Sequence, residues 1–132
     1  MLPFAEIGVK MKVIEAINEI DNIKPNIISQ SDKLKWLKKL DGMIKIEIID
    51  RHEGGDDTSF VDYNEYNMDS DLIVRSPYDD IYIKWLEMQI DYANNEYLKY
   101  NNSAAAFDNA YERFSRQYHR THMPKSTRLK FI

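Results

Sequence analysis

The chain of 132 residues has no cysteine, only four glycines and four prolines, and no long apolar run. Without cysteine there is no disulfide framework, no thiolate nucleophile and no cysteine-ligated zinc site. No stretch reaches the roughly 20 apolar residues of a membrane-spanning helix, and the N-terminus lacks the apolar core of a signal peptide. With 43% hydrophobic and 30% charged residues, the composition predicts one globular domain, residues 1–132, without membrane contact.

Charge is distributed unevenly along the chain. The formal net charge is −4, yet residues 47–96 carry −11 and residues 110–132 carry +5. Such an asymmetry is typical of a protein whose two regions meet different neighbours. The alternative, that these charges only keep exposed faces in water, stays open for either region.

Hydrophobic periodicity and helix-end signals predict four helices. The predicted helices cover residues 11–23, 32–51, 77–101 and 104–120. Because serine is a good N-cap, Ser31, Ser76 and Ser103 are expected to begin the last three. Pro77 suits the first position of the third helix, and Asp79 suits its first turn, where negative charge favours the helix dipole.

The rest of the chain is predicted to be irregular. Residues 52–76 are rich in acidic side chains, have no helical period and are expected to form one long loop. Short extended pieces at residues 60–63 and 72–74 fit their aromatic and β-branched composition. Residues 125–132 form a basic tail. The predicted fold class is therefore all-α: a small bundle of about four helices with one long acidic loop and an extended C-terminal tail.

The third predicted helix is apolar around most of its circumference. At 100° per residue its apolar side chains cover roughly 220°, about twice what a helix on one side of a core needs. Asp80, Lys84, Glu87 and Asp91 fall in the remaining polar arc. The pattern therefore predicts neighbours on two sides of this helix.

The fourth predicted helix carries a basic ridge, which we define as Arg113, Arg116 and Arg120. These three side chains cluster within roughly 60° on its outward face. Basic side chains on one exposed face bind phosphates without sequence specificity, and they dock equally well on an acidic protein. The candidates for DNA-channel contact or partner docking are Arg113, Arg116, Arg120, Lys125, Arg128 and Lys130.

The sequence contains only weak signals of a metal or catalytic site. His119 and His122, in the segment HRTH, could share one helix face, but no third ligand lies in register, so no metal site is predicted. The acidic loop lacks the ligand spacing of an EF-hand. Asp79 and Asp80 are adjacent carboxylates with no nucleophile or phosphate-binding loop nearby. The sequence therefore predicts no catalytic residue, no cofactor and no enzyme.

Two stretches of the chain resemble a known family. KWLKKLDGMIKIEIIDRHEG and PYDDIYIKWLEMQIDYANNEYLKYNNSAAAFDNAYERFSRQYHRTHMP look similar to small head–tail connector proteins of long-tailed phages and prophages of Gram-positive bacteria. Together they cover about half of the chain. Relatives of this kind begin near Met11, so residues 1–10 are predicted to be a flexible leader.

The resemblance implies an all-helical subunit that assembles with copies of itself into a ring below the portal protein. Such a ring extends the DNA exit channel and docks neck or tail completion proteins, without catalysis. The implied location is the virion neck, with the host cytoplasm before assembly, and non-specific contact with DNA in the channel is left open.

A ring subunit needs two complementary patches, and the broad apolar face of the third helix suits one of them. Tyr82, Trp85 and Tyr97 are therefore the candidate subunit-interface residues. The alternative hypothesis is a small helical DNA-binding or regulatory module that uses the basic face of the last helix.

Overall fold

A computed structural model of the protein describes residues 8–55 and 63–125. Within these ranges the chain is mostly helical. The elements in chain order are β1 (Lys10–Lys12), α1 (Val13–Ile23), α2 (Gln30–Glu47), a 3₁₀ helix (Ile49–Arg51), β2 (Asp71–Arg75), α3 (Asp80–Ala93) and α4 (Tyr97–Thr121). None of the helices in these ranges is long and apolar enough to span a bilayer.

The fold is not strictly all-α, because β1 and β2 form a two-stranded antiparallel sheet. Lys10 pairs with Arg75 and Lys12 with Asp71, with an irregularity between the two pairs. Leu72 and Val74 alternate with more exposed neighbours and point into the core. The extended piece predicted at residues 72–74 is therefore confirmed, whereas most of the piece predicted at residues 60–63 lies outside the described ranges.

The sheet also includes part of the predicted leader. The backbone N–H of Ser76 donates to the Val9 carbonyl at 2.8 Å, and the Val9 N–H donates to Ser76 Oγ at 3.0 Å. Residues 8–10 are thus paired with the end of β2, while residues 1–7 lie outside the described ranges. Because Ser76 Oγ is engaged with Val9, it does not cap α3, whose N-cap is Asp79.

Helix α3 is the central element of the bundle. It packs against α1, α2 and α4, and α4 makes its most extensive contact. The apolar side chains of α3 that are buried within the chain are Ile81, Tyr82, Ile83, Trp85, Leu86, Met88 and Ile90. The broad apolar face predicted for this helix is therefore covered by the chain itself, except at Tyr92 in its last turn, which is exposed.

Several helix boundaries differ from the prediction, and two of the differences have identifiable reasons. Helix α2 begins two residues early because Ser29, not Ser31, is the N-cap, with Ser29 Oγ accepting from the Asp32 N–H at 3.1 Å. The chain contains two Asn-Asn pairs, and the first one makes the turn between α3 and α4. Asn95 adopts a positive φ of 59°, a conformation that asparagine tolerates better than most residues. Ser103 lies inside α4, so the predicted turn there is wrong.

A buried carboxylate, Asp41 of α2, joins three parts of the core. Its Oδ1 accepts from the Tyr82 hydroxyl at 2.6 Å, and the same hydroxyl accepts from the Val74 N–H at 2.7 Å. Its Oδ2 accepts from the Ile73 N–H at 3.3 Å and the Tyr63 hydroxyl at 3.5 Å. Burial raises the pKa of Asp41 to about 6, although these hydrogen bonds oppose the rise. The group ties α2, α3 and β2 together around one carboxyl.

We expect Asp41 to make the protein less stable as the pH rises from about 4 to about 7. The folded carboxyl, with a pKa near 6 against an ordinary value of 3.8, holds a proton that the unfolded chain has released. Loss of that proton costs about 3 kcal/mol over the interval. Urea unfolding of the wild type and Asp41→Asn across this range should give profiles that differ, because only the wild type carries the contribution of Asp41.

Asp32→Asn, an exposed change on the same helix, is the matched control and should keep the wild-type slope. Parallel profiles for the wild type and Asp41→Asn would contradict the assignment of the slope to Asp41.

Candidate interaction surfaces

The three candidate subunit-interface residues lie in different environments. Tyr82 is fully buried and hydrogen-bonded in the core. Trp85 is also buried, where its Nε1 donates to the Trp36 carbonyl at 2.8 Å and its ring packs against Phe107. Tyr97, at the start of α4, is 60% exposed. Tyr82 and Trp85 are therefore core residues of a single chain, and Tyr97 alone of the three is on the surface.

Tyr97 belongs to a group of exposed apolar side chains, which we call the apolar end. Its members are Ile23, Ile27, Tyr92, Tyr97 and Leu98. Ile23 ends α1 and Ile27 follows it, Tyr92 is in the last turn of α3, and Tyr97 and Leu98 begin α4. An ion pair between Lys24 and Asp91, 2.6 Å apart, joins the ends of α1 and α3. Ile27 is 98% exposed and Leu98 83%. Exposed aliphatic and aromatic groups concentrated in one region are typical of an interaction site.

Asp91 lies in the last turn of α3, next to Tyr92 of the apolar end. It is buried, although the predicted polar arc of α3 includes it. Its Oδ2 accepts from Ser103 Oγ at 2.8 Å, and its Oδ1 faces the Lys24 ammonium without a well-aligned hydrogen bond. A shallow cleft of about 270 Å³ opens beside this pair. Its lining residues are Lys24, Glu87, Asp91, Lys99, Asn102, Ser103 and Ala106. The opposite charges of this lining offset one another, so the group holds three helices together rather than presenting a charged site.

The basic ridge lies on α4 as predicted, but its charges are partly paired. Arg113 donates to Asp80 at the start of α3 at 3.0 Å, and Arg116 lies 3.7 Å from Glu112. Arg120 is exposed on the last turn. Lys125 is also exposed, whereas Arg128 and Lys130 lie outside the described ranges. The ridge therefore offers less uncompensated positive charge than its sequence indicates.

Beyond α4 the chain runs against the segment that follows the 3₁₀ helix. The Glu53 N–H donates to the Met123 carbonyl at 2.7 Å, and the Lys125 N–H donates to the Arg51 carbonyl at 2.9 Å. His52 and Pro124 form a β-bridge between these bonds. The start of the predicted C-terminal tail is thus fixed to residues 51–53.

All three histidines of the chain meet at this junction. His52 is buried, and its Nε2 lies 3.2 Å from Nδ1 of His119. The His122 ring stacks on Tyr118 with ring centroids 3.7 Å apart. Burial, with a smaller effect of the Asp50 carboxylate, raises the pKa of Tyr118, so this stacking partner is a neutral phenol. Sequence reasoning missed His52, because nothing local signals a partner 67 positions away.

Within the described ranges no three metal-ligating side chains are placed to hold an ion together. No protein-family model matches the chain, and neither the curated proteins nor the solved structures contain a match to it.

We expect Lys24→Ala to destabilise the protein by about 2–4 kcal/mol, because it leaves the buried Asp91 carboxylate with only the Ser103 hydroxyl. Chemical unfolding at neutral pH measures the change. Lys99→Ala is the matched control, since Lys99 pairs on the surface with Glu96 and such exposed pairs contribute little to stability. Equal losses in the two variants would show that Lys24 does not compensate a buried charge.

Proposed function

We propose that the protein is a structural head–tail connector subunit of a long-tailed phage or prophage. In this proposal it assembles with copies of itself into a ring below the portal protein, extends the DNA channel and docks a neck or tail completion protein. It acts in the virion neck, is present in the host cytoplasm before assembly, and catalyses no reaction. The family resemblance of the two quoted stretches suggests this role, and the apolar end is the structural observation that supports it.

The apolar end is suited to contact with another protein because the chain does not cover it. Tyr97 and Leu98 are exposed, whereas the large apolar side chains of α3 that face neighbouring helices are buried. When a subunit packs its own core and still exposes such groups, binding of a partner that buries them lowers the free energy.

A ring also needs a second, different patch on each subunit. Helix α4 has 25 residues and is therefore about 37 Å long. The apolar end lies at its start, and the exposed Met123 and the basic Arg120 lie at its finish. Two unlike surfaces at opposite ends of one long helix suit the head-to-tail contacts of a closed ring.

We expect the double variant Tyr97→Asp with Leu98→Asp to abolish assembly while the chain remains folded, since both side chains are exposed. Light scattering at several protein concentrations, with and without the portal protein of the same phage, measures complex size. The portal protein is included because a subunit that needs a template is monomeric alone.

Tyr66→Asp is the matched control, because Tyr66 is 96% exposed but lies in the loop before β2. It should assemble as the wild type does. Normal ring formation by the double variant would show that the apolar end is not the subunit contact.

The competing proposal is a small helical DNA-binding or regulatory module that uses the basic face of α4. The exposed Arg116 and Arg120 favour it. The ion pair between Arg113 and Asp80 argues against it, because phosphate would have to displace a carboxylate from Arg113. The connector is therefore the better supported proposal.

Arg116→Glu with Arg120→Glu separates the two proposals. If the ridge docks an acidic protein, the variant should lose neck-protein docking in DNA-free particles. If it binds DNA, the wild type alone should bind duplex DNA, and its affinity should fall steeply with salt because released counterions set the slope. Fluorescence anisotropy with labelled DNA at several salt concentrations makes this measurement.

A further inference from the structure

His52 is held in one tautomer by the backbone. Its Nδ1 lies 2.6 Å from the Ile48 carbonyl, an acceptor only, so Nδ1 carries the proton and donates it. In the neutral ring the lone pair is therefore on Nε2. A hydrogen bond from one ring nitrogen to a backbone carbonyl is the support that orients metal-binding imidazoles. Burial of His52 also restricts its ring, so Nε2 is fixed in direction before any ligand arrives.

His119 provides a second nitrogen at a suitable separation. Its Nδ1 lies 3.2 Å from Nε2 of His52. Two nitrogens bound to one tetrahedral ion at about 2.0–2.1 Å lie about 3.3 Å apart. Rotation of the exposed His119 ring would move its Nδ1 off the fixed His52 lone pair and direct its own lone pair at an ion shared with His52. His119 is exposed, so its ring has room to turn and an ion can arrive from solvent.

His122 is committed elsewhere, although it follows His119 by three positions. Its Nδ1 lies 3.1 Å from the Tyr118 carbonyl and 2.9 Å from Thr121 Oγ1, and its ring stacks on Tyr118. Because no three ligating side chains in the described ranges are placed around one point, a metal here would have two ligands from the described part of the chain.

We propose that His52 and His119 form a two-histidine chelate for a divalent transition-metal ion of the Cu²⁺, Ni²⁺ and Zn²⁺ class, with water in the remaining positions. Imidazole nitrogen suits these ions, whereas Mg²⁺ and Ca²⁺ prefer oxygen ligands. Without the ion, His119 Nδ1–H donates to His52 Nε2. With it, the proton of neutral His119 resides on its own Nε2, so two neutral rings bind the ion with no net proton release.

The consequence of this chelate is a cross-link between distant parts of the chain. His52 follows the 3₁₀ helix, and His119 is in the last turn of α4. The bound ion would link the two segments in which Met123 and Lys125 pair with residues 51–53. Metal binding should therefore stabilise the folded state, since the unfolded chain does not hold the two rings together.

Calorimetric titration of the full chain with CuCl₂, NiCl₂, ZnCl₂ and MgCl₂ tests the proposal. We expect saturable one-to-one binding, strongest for Cu²⁺, no binding of Mg²⁺, and a melting temperature that rises with Zn²⁺. His119→Ala should weaken Zn²⁺ binding by at least about tenfold. His122→Ala is the matched control and should bind as the wild type does.

The wild type itself provides a second readout, because a substitution of the buried His52 could unfold the chain. Zinc should shift the ring ¹⁵N resonances of His52 Nε2 and His119 Nδ1 and leave those of His122 unchanged. The proposal is overturned if no transition metal binds saturably, if His119→Ala binds zinc normally, or if His122→Ala loses binding as fully as His119→Ala.

Discussion

Enclosure of α3 by α1, α2 and α4 is the constraint on which the other features depend. A helix surrounded in this way must bury side chains around most of its circumference, which places Tyr82, Trp85 and even Asp91 inside the protein. Each polar group that is buried then needs a partner from another element. Asp41 is the hydrogen-bond partner of Tyr82, and Lys24 and Ser103 are the partners of Asp91. The polar contacts of Tyr82 and Asp91 thus hold the central helix in place together with its apolar packing.

Periodicity predicted the existence and number of the helices because it reports on burial, and burial is what stabilises them. It also gave a reason to expect neighbours on two sides of α3. It could not say that those neighbours belong to the same chain, since a helix face buried by α1 and one buried by another subunit have the same pattern. For this reason the pattern could not show that the two interface candidates on α3 are buried within the chain, whereas Tyr97, beyond the turn, is exposed.

Boundaries were less predictable because several residues suit the same role. Ser29 and Ser31 both suit the N-cap of α2, and two Asn-Asn pairs could end α3; in the structure Ser29 is the N-cap and Asn94-Asn95 make the turn. Ser76 Oγ accepts a hydrogen bond from the Val9 N–H beside the sheet, and Ser103 Oγ donates one to Asp91. The polar clusters had weaker signals still. Asp41 interrupts an apolar stripe of α2, which could have marked it as a buried carboxylate, but His52 meets its partner only after the whole chain has folded.

Pairing of β1 with β2 links the order of synthesis to the order of folding. Lys10 pairs with a residue 65 positions later, and residues 51–53 bond to the segment that follows α4. Contacts between such distant positions form slowly, because a long loop must close before any of them stabilises the chain. On the ribosome, β1 and α1 therefore emerge before β2 and α3, with which they pair and pack. The first described strand thus reaches its native partner only after more than half of the chain has been synthesised.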